Sequence, residues 1–202
     1  AVGTHLLDMQ MIGMLLGGIV WGILGDKKGR LSTLFLTILM YSLANIAIGF
    51  VQTVEQYEWL RFIAGFGLAG ELGVGITLVA EVMSKESRGI GTSIVSGIGI
   101  AGAVLGFLVT DLFDWRMAYW VGGVLGLMLL IMRISVYESG MFEKIKSKKV
   151  KHGDILSLFT NRRRTKKYIF SILIGAPVWY VISQLAIHAP TYAKELGIID
   201  EV

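Results

Sequence analysis

The sequence predicts an all-α membrane protein with six transmembrane helices. The 202-residue chain is 54% hydrophobic and only 17% charged, and its mean hydropathy is +0.66. Six stretches reach the roughly 20 mostly apolar residues that a bilayer-spanning helix needs, and none of them alternates like a strand. Soluble domains carry about 25% charged residues. The composition therefore excludes a disordered chain and a typical soluble enzyme, and the absence of cysteine excludes a disulfide scaffold.

The six apolar stretches follow one another along the chain. They are Leu6–Gly25, Leu31–Val51, Trp59–Ala80, Gly89–Val109, Trp115–Val136 and Tyr168–Ile187. Uniformly apolar segments of this length are helices, because in lipid every backbone polar group must be bonded within the segment. One long connection separates the fifth stretch from the sixth. We therefore divide the chain into an N-terminal helical bundle (1–136), a basic linker (137–167) and the first helix of a second unit (168–202).

The charges between the stretches predict the orientation of the helices. All but three of the 19 Lys and Arg residues lie on the side of Asp26–Arg30, Ser84–Arg88 and 133–167. Lys and Arg concentrate in cytoplasmic loops, so we expect a multi-pass protein of the inner (plasma) membrane with its basic loops in the cytoplasm. The chain starts at Ala1 with no basic segment before the first apolar run, so we expect a fragment or a processed chain.

The linker contains two basic runs, Lys144–Lys151 and Arg162–Lys167. Such runs also occur in nucleic-acid-binding proteins, but no aromatic stacking platform accompanies these. A topology signal or a contact with anionic lipid fits them better, and we expect no nucleic-acid partner. Within the linker, Ile155, Leu156, Leu158 and Phe159 have helical spacing, which predicts a short helix in the membrane interface.

Glycines line four of the six stretches, which predicts close packing of their helices because membrane helices associate through small residues. They are Gly13, Gly17, Gly18, Gly22, Gly65, Gly67, Gly70, Gly73, Gly75, Gly97, Gly99, Gly102, Gly106, Gly122, Gly123 and Gly126. Glu71 lies among them, twelve residues after Trp59, or roughly 18 Å along a helix. A carboxylate so deep in the bilayer should face the bundle interior, a cation or water. It is either a structural carboxyl or a protonatable group on an ion path.

Three further features of the helices involve charged or polar side chains. Arg61 either shapes the charge of an outer vestibule or extends its guanidinium to the membrane surface. Arg133, at the opposite surface, is expected to extend in the same way. Tyr180, Gln184 and His188 form one polar stripe at i, i+4, i+8, which either lines a cavity or marks the end of the helix.

A loop motif joins the first two stretches: Gly22-Ile-Leu-Gly-Asp26-Lys-Lys-Gly29-Arg30. Gly29 permits a tight turn, and Arg30 can pair with a carboxylate on a neighbouring helix, for which Glu81 is the natural candidate. The motif resembles the G-x-L-x-D-x-x-G-R signature of the major facilitator superfamily of secondary transporters. The resemblance implies a partial major-facilitator-type bundle with a cytoplasmic gate. The residues of that gate would be Gly22, Asp26, Gly29, Arg30, Glu81 and Arg88.

The third stretch resembles one particular group within that superfamily. Arg61-x-x-x-Gly65 through Gly70-Glu71, followed by Glu81 and Arg88-Gly89, is similar to the metabolite:proton symporter group, although Ala69 replaces a frequent glycine. This resemblance implies proton-coupled symport of a small organic anion or zwitterion by alternating access. The candidate solute and proton residues are Glu71, Arg61 and the polar stripe of Tyr180, Gln184 and His188. It also implies that these are helices two to seven of twelve, with a C-terminal half as the missing partner.

Two alternatives remain at this stage. One is an uncoupled facilitator of the same fold for sugars or aromatic acids. The other, distant, is a six-helix intramembrane enzyme in which Ser93 or Ser96 acts with His188; we expect instead that the protein is not an enzyme. No cofactor and no metal site is expected from the sequence.

Overall fold

The computed structural model describes residues 2–133, 153–154, 156–181 and 189–197, and their regular structure is helical throughout. The chain divides into two compact units, 1–153 and 154–202. The helices of the first unit are α1 (Val2–Lys28), α2 (Arg30–Ile48), α3 (Val54–Val82), α4 (Arg88–Leu112) and α5 (Trp115–Met132). All five are long and apolar enough to cross a membrane. The prediction of an all-α membrane protein is thereby confirmed.

The described part of the second unit contains three helices, α6 (Leu156–Thr160), α7 (Arg162–Val181) and α8 (Ala189–Glu195). The short helix expected in the linker is present as α6. The basic run Arg162–Lys167, which we expected in the linker, instead forms the first turns of α7. The Asn161 side chain accepts a hydrogen bond from the Arg163 amide at 2.9 Å, so it caps the helix, and Lys and Arg are good helix formers. The rest of the predicted sixth span, 182–187, lies outside the described residues.

Local chemistry fixes the helix ends in the first unit. Gly29 has φ 105°, a conformation that suits glycine, and it separates α1 from α2. The Thr53 side chain accepts a hydrogen bond from the Gln56 amide at the start of α3. Asp114 caps α5 in the same way through the Arg116 amide. Short capped turns of this kind hold consecutive helices side by side.

Close packing of α1 against α3 depends on glycine. A Cβ atom on Gly13 would overlap the carbonyl oxygen of Phe62, and one on Gly17 would overlap that of Phe66. A Cβ on Gly65 would likewise overlap the Gln10 carbonyl oxygen. The two backbones are therefore in direct contact, as small residues permit in membrane helices.

The core of the first unit lies around α2. Leu34, Ile38 and Ile48 are at most 2% exposed. Trp21 of α1 packs against Leu34, and its indole Nε1 donates a hydrogen bond to the Phe66 carbonyl oxygen at 2.8 Å. This bond pairs the one polar atom of a buried tryptophan side chain and ties α1, α2 and α3 together.

The expectation that glycines pack closely is wrong for α4. Among the described residues nothing lies within 4 Å of a Cβ placed on Gly97, Gly99, Gly102 or Gly106, and Gly91 is the one buried residue of the helix. The same holds for Gly18, Gly22, Gly73 and Gly122. Glycine spacing identifies a face on which a helix can approach closely, but it does not say that a partner helix is present.

Candidate functional site

An ion-pair cluster stands where α1 meets α2. The Arg30 guanidinium lies 2.5 Å from Asp26 Oδ1 through Nη1. Its Nη2 and Nε donate to Glu81 Oε1 at 3.1 and 3.3 Å. The Arg30 and Glu81 side chains are only 14% and 15% exposed, so little water screens their attraction. We call Asp26, Arg30 and Glu81 the junction cluster; it fixes the end of α3 to the α1–α2 turn.

The other predicted gate residues take part in none of the ion pairs of this cluster. Gly29 forms the turn itself. Gly22 lines a cavity of about 240 Å³ together with Asp26 and Arg30. Arg88 begins α4, its Nε is buried without a hydrogen-bond partner, and it takes part in none of the ion pairs between described residues.

Glu71 faces a cation that sequence reasoning did not assign to it. Its Oε1 lies 3.8 Å from Arg133 Nη2, at the end of α5, and the two side chains are 28% and 32% exposed. Arg133 Nη1 is buried without a hydrogen-bond partner. The expectation for Arg133 was a guanidinium extended to the membrane surface; it turns inward because Glu71 supplies the opposite charge. No local sequence pattern predicts a contact between residues on two different helices.

The face of α3 that holds Glu71 contacts α2 and borders a cavity. A Cβ on Gly67 would lie 3.0 Å from the Thr37 carbonyl oxygen, and one on Gly75 would lie 3.9 Å from Leu34. These glycines therefore approach α2. Glu71 itself lines a cavity of about 940 Å³ bounded by α2, α3, α4 and α5. Its carboxylate thus has both a cation and open space within reach.

Arg61 is held by aromatic side chains near the other end of α3. Its Nη1 donates to Gln10 Oε1 at 2.7 Å and its Nη2 to the Tyr57 hydroxyl at 3.0 Å. The guanidinium lies 5.2 Å from the ring centroids of both Tyr57 and Tyr119, a cation–π distance. The two hydroxyls are 2.8 Å apart. The i, i+4 spacing of Tyr57 and Arg61 is the one part of this group that the sequence signals.

Arg116 lines the large cavity. It donates to the Val51 carbonyl oxygen at 3.1 Å and lies 4.2 Å from the ring centroid of Trp115. Tyr57, Tyr119 and Glu71 line the same cavity, whose remaining wall is mostly apolar. The described lining of the cavity therefore includes the guanidinium of Arg116, tyrosine hydroxyls and the carboxylate of Glu71.

The polar stripe predicted at the end of the chain is described only in part. Tyr180 lies on α7 and is 66% exposed. Gln184 and His188 lie outside the described residues. Ser93 and Ser96 are exposed on α4. Within the described ranges there is no group of three His, Cys, Asp or Glu side chains that could hold a metal ion.

Comparison with known proteins decides the family. The family model described as Major Facilitator Superfamily matches residues 3–198. The chain belongs to the major facilitator superfamily. This family comprises transporters rather than enzymes, as the sequence predicts.

Named relatives in the superfamily are transport proteins. The chain is 31% identical over 167 residues to the probable 4-methylmuconolactone transporter of Cupriavidus pinatubonensis, a match that covers 79% of the chain and 39% of that protein. It is 33% identical over 138 residues to the niacin transporter NiaP of Acinetobacter baylyi, covering 66% of the chain and 31% of the relative. The chain therefore spans less than half the length of these relatives.

A solved structure agrees on the superfamily fold. The xylose transporter XylE from E. coli, in a partially occluded inward open conformation, superposes with a TM-score of 0.60 at 18% identity. The match covers 72% of this chain and 41% of XylE. At this identity the similarity supports the fold alone.

Proposed function

We propose that the full-length protein is a secondary active transporter that moves a small organic solute together with protons by alternating access. This chain supplies the helices described above, and the remainder of the longer protein supplies the other face of the solute pathway. The observation that carries the proposal is the Glu71 carboxylate, which lines a cavity within the bundle and faces Arg133.

Glu71 is suited to carry the coupled proton. It lies eleven residues before the end of α3, or roughly 16 Å from that end along the helix axis. An unpaired charge at such a depth is unfavourable, so the protonation state of Glu71 depends on whether a cation lies beside it. Arg133 stands at 3.8 Å, beyond the roughly 2.8 Å of a direct charge-assisted hydrogen bond. Protonation of Glu71 would therefore release Arg133 without breaking a tight hydrogen bond.

The junction cluster is suited to act as a gate on the same carrier. Arg30 bridges Asp26 and Glu81, so the α1–α2 turn cannot separate from the end of α3 without breaking the Arg30–Glu81 ion pair, while Asp26 holds the Arg30 guanidinium within the turn. We propose that the intact cluster stabilises one conformation of the carrier and that it opens in the other. Gly29 gives the turn its backbone conformation, and we assign Gly22 and Arg88 to the same gate.

The solute we propose is a small organic anion or zwitterion. Arg61 and Arg116 supply positive charge, and the tyrosines around Arg61 supply hydroxyl groups and aromatic faces. One relative is named for niacin, which is a carboxylic acid. Tyr180, Gln184 and His188 are the residues of the second unit that we assign to solute contact.

We place the carrier in the inner membrane with the junction cluster on the cytoplasmic side. The positive-inside rule supports this orientation, since the connections near the cluster hold Lys27, Lys28, Lys85 and Arg88.

The test is uptake of labelled niacin and 4-methylmuconolactone by proteoliposomes that contain the full-length protein. We expect a pH gradient, acidic outside, to drive accumulation of at least one solute, and a protonophore to abolish it. Uptake that merely equilibrates and ignores the gradient would instead support the uncoupled facilitator. No movement of either compound, or of a wider set of organic acids and sugars, would contradict transport itself.

A further inference from the structure

The start of the second unit carries five exposed cations within six residues. They are Arg162, Arg163, Arg164, Lys166 and Lys167, all in the first two turns of α7. None of the ion pairs between described residues includes any of them. The neighbouring carboxylate, Asp154, accepts a hydrogen bond from the Ser157 amide at 3.3 Å and so caps α6. The positive charge of this segment is therefore not neutralised within the described chain.

Beside the cations, α6 presents apolar side chains to the outside. The Thr165 hydroxyl donates to the Leu158 carbonyl oxygen at 2.9 Å. The rings of Phe159 and Tyr168 meet edge to face with centroids 6.1 Å apart. These contacts fold α6 back against the first turns of α7. They leave Leu156 77% and Phe159 58% exposed, so apolar groups and cations share one surface.

The sequence on either side of α6 strengthens the charge. From Lys144 to Lys167 the chain has ten Lys or Arg residues and a single acidic residue, Asp154. Such a density of like charge repels itself unless anions surround it. The charge lies directly before the apolar part of α7, Tyr168–Val181, as basic residues do at the boundary between lipid and water. An anionic leaflet supplies the opposite charge at that boundary.

We propose that α6 and the first two turns of α7 form a binding site for anionic phospholipid. Leu156 and Phe159 insert among the acyl chains near the headgroups, and the five cations of α7 contact the lipid phosphates. A soluble polyanion would satisfy the cations but would leave the two apolar side chains in water, so a lipid surface fits the whole segment.

The test measures the depth of a nitroxide label in nanodiscs. The 202 residues contain no cysteine, so Leu156→Cys in a cysteine-free full-length protein gives one label, and Ser157→Cys gives a neighbouring control. We expect the label at position 156 to gain oxygen accessibility several-fold when phosphatidylglycerol is added to phosphatidylcholine discs. The label at 157 should change less, and high salt should reverse the gain because it screens surface charge.

Two sets of variants separate charge from apolar insertion. Replacing Arg162, Arg163 and Arg164 by Gln should abolish the response to phosphatidylglycerol, whereas replacing Lys27, Lys28 and Lys85 by Gln should preserve it. Replacing Phe159 by Ser should reduce the depth of the label but keep its dependence on salt. The proposal is overturned if the label at 156 stays in water in both lipids, or if the arginine variant responds like the wild type. It is also overturned if inorganic phosphate or RNA, added to phosphatidylcholine discs, changes the oxygen accessibility of the label as much as phosphatidylglycerol does.

Discussion

Single charged residues inside the bundle differ in how far the sequence reveals their partners. Arg30 and Glu81 meet as expected, because a turn motif and the end of a predicted helix place both at one end of the bundle. The pairing of Glu71 with Arg133 joins residues 62 positions apart in the sequence, and their depth along separate helices becomes apparent only after α3 and α5 are packed. The aromatic contacts of Arg61 are missed for the same reason.

The Glu71–Arg133 pair leads to a prediction about stability. Breaking a fully buried ion pair costs about 3–5 kcal/mol. Because these side chains are 28% and 32% exposed, we expect Glu71→Gln and Arg133→Gln each to lower the free energy of unfolding by about 1 kcal/mol. The double variant should lose less than the sum of the two, since neither charge is then left alone.

The measurement is thermal unfolding of the purified full-length protein in detergent. Glu55→Gln, an exposed carboxylate in the first turn of α3, serves as the control and should change the stability little. Strictly additive losses in the double variant would show that the two side chains do not interact.

At the scale of helices, the length of an apolar stretch predicts where a span lies, whereas glycine spacing does not predict which helices pack together. The first five spans follow from composition because a membrane helix must satisfy its own backbone. Whether a glycine packs depends on the neighbouring helix, which a single sequence does not identify. Gly17 contacts the backbone of α3, whereas the adjacent Gly18 has nothing within 4 Å. The apolar pattern predicts that the sixth span starts at Tyr168, whereas α7 begins at Arg162, because Lys and Arg can extend a helix beyond its apolar part.

These two adjacent glycines provide a matched pair of variants. Gly17→Val forces side-chain atoms into the Phe66 backbone, and we expect a loss of about 1–3 kcal/mol, as for overpacked cores. Gly18→Val should change the stability by less than about 1 kcal/mol, because the space beside it is open. Melting temperatures of the two proteins measure the difference. Equal losses would mean that α1 does not approach α3 through Gly17.

At the scale of the whole molecule, the distribution of charge predicts which ends of the helices face the cytoplasm. The 202 residues contain no cysteine, so single cysteines in a cysteine-free full-length protein report on this directly. Ser84→Cys, between α3 and α4, should react with a membrane-impermeant maleimide only after cells are permeabilised. Gln52→Cys, between α2 and α3, should react on intact cells. The reverse pattern would invert the orientation and place the junction cluster outside.

The proposed mechanism depends on one carboxylate that carries a proton in step with the solute. The most direct measurement is the ratio of protons to solute moved by proteoliposomes of the full-length protein and its Glu71→Gln variant, using a solute that the uptake assay identifies. We predict that the wild type takes up protons with solute. The variant should still exchange solute across the membrane, but it should neither accumulate solute nor move protons. A Glu71→Gln variant that keeps the wild-type ratio would contradict the account.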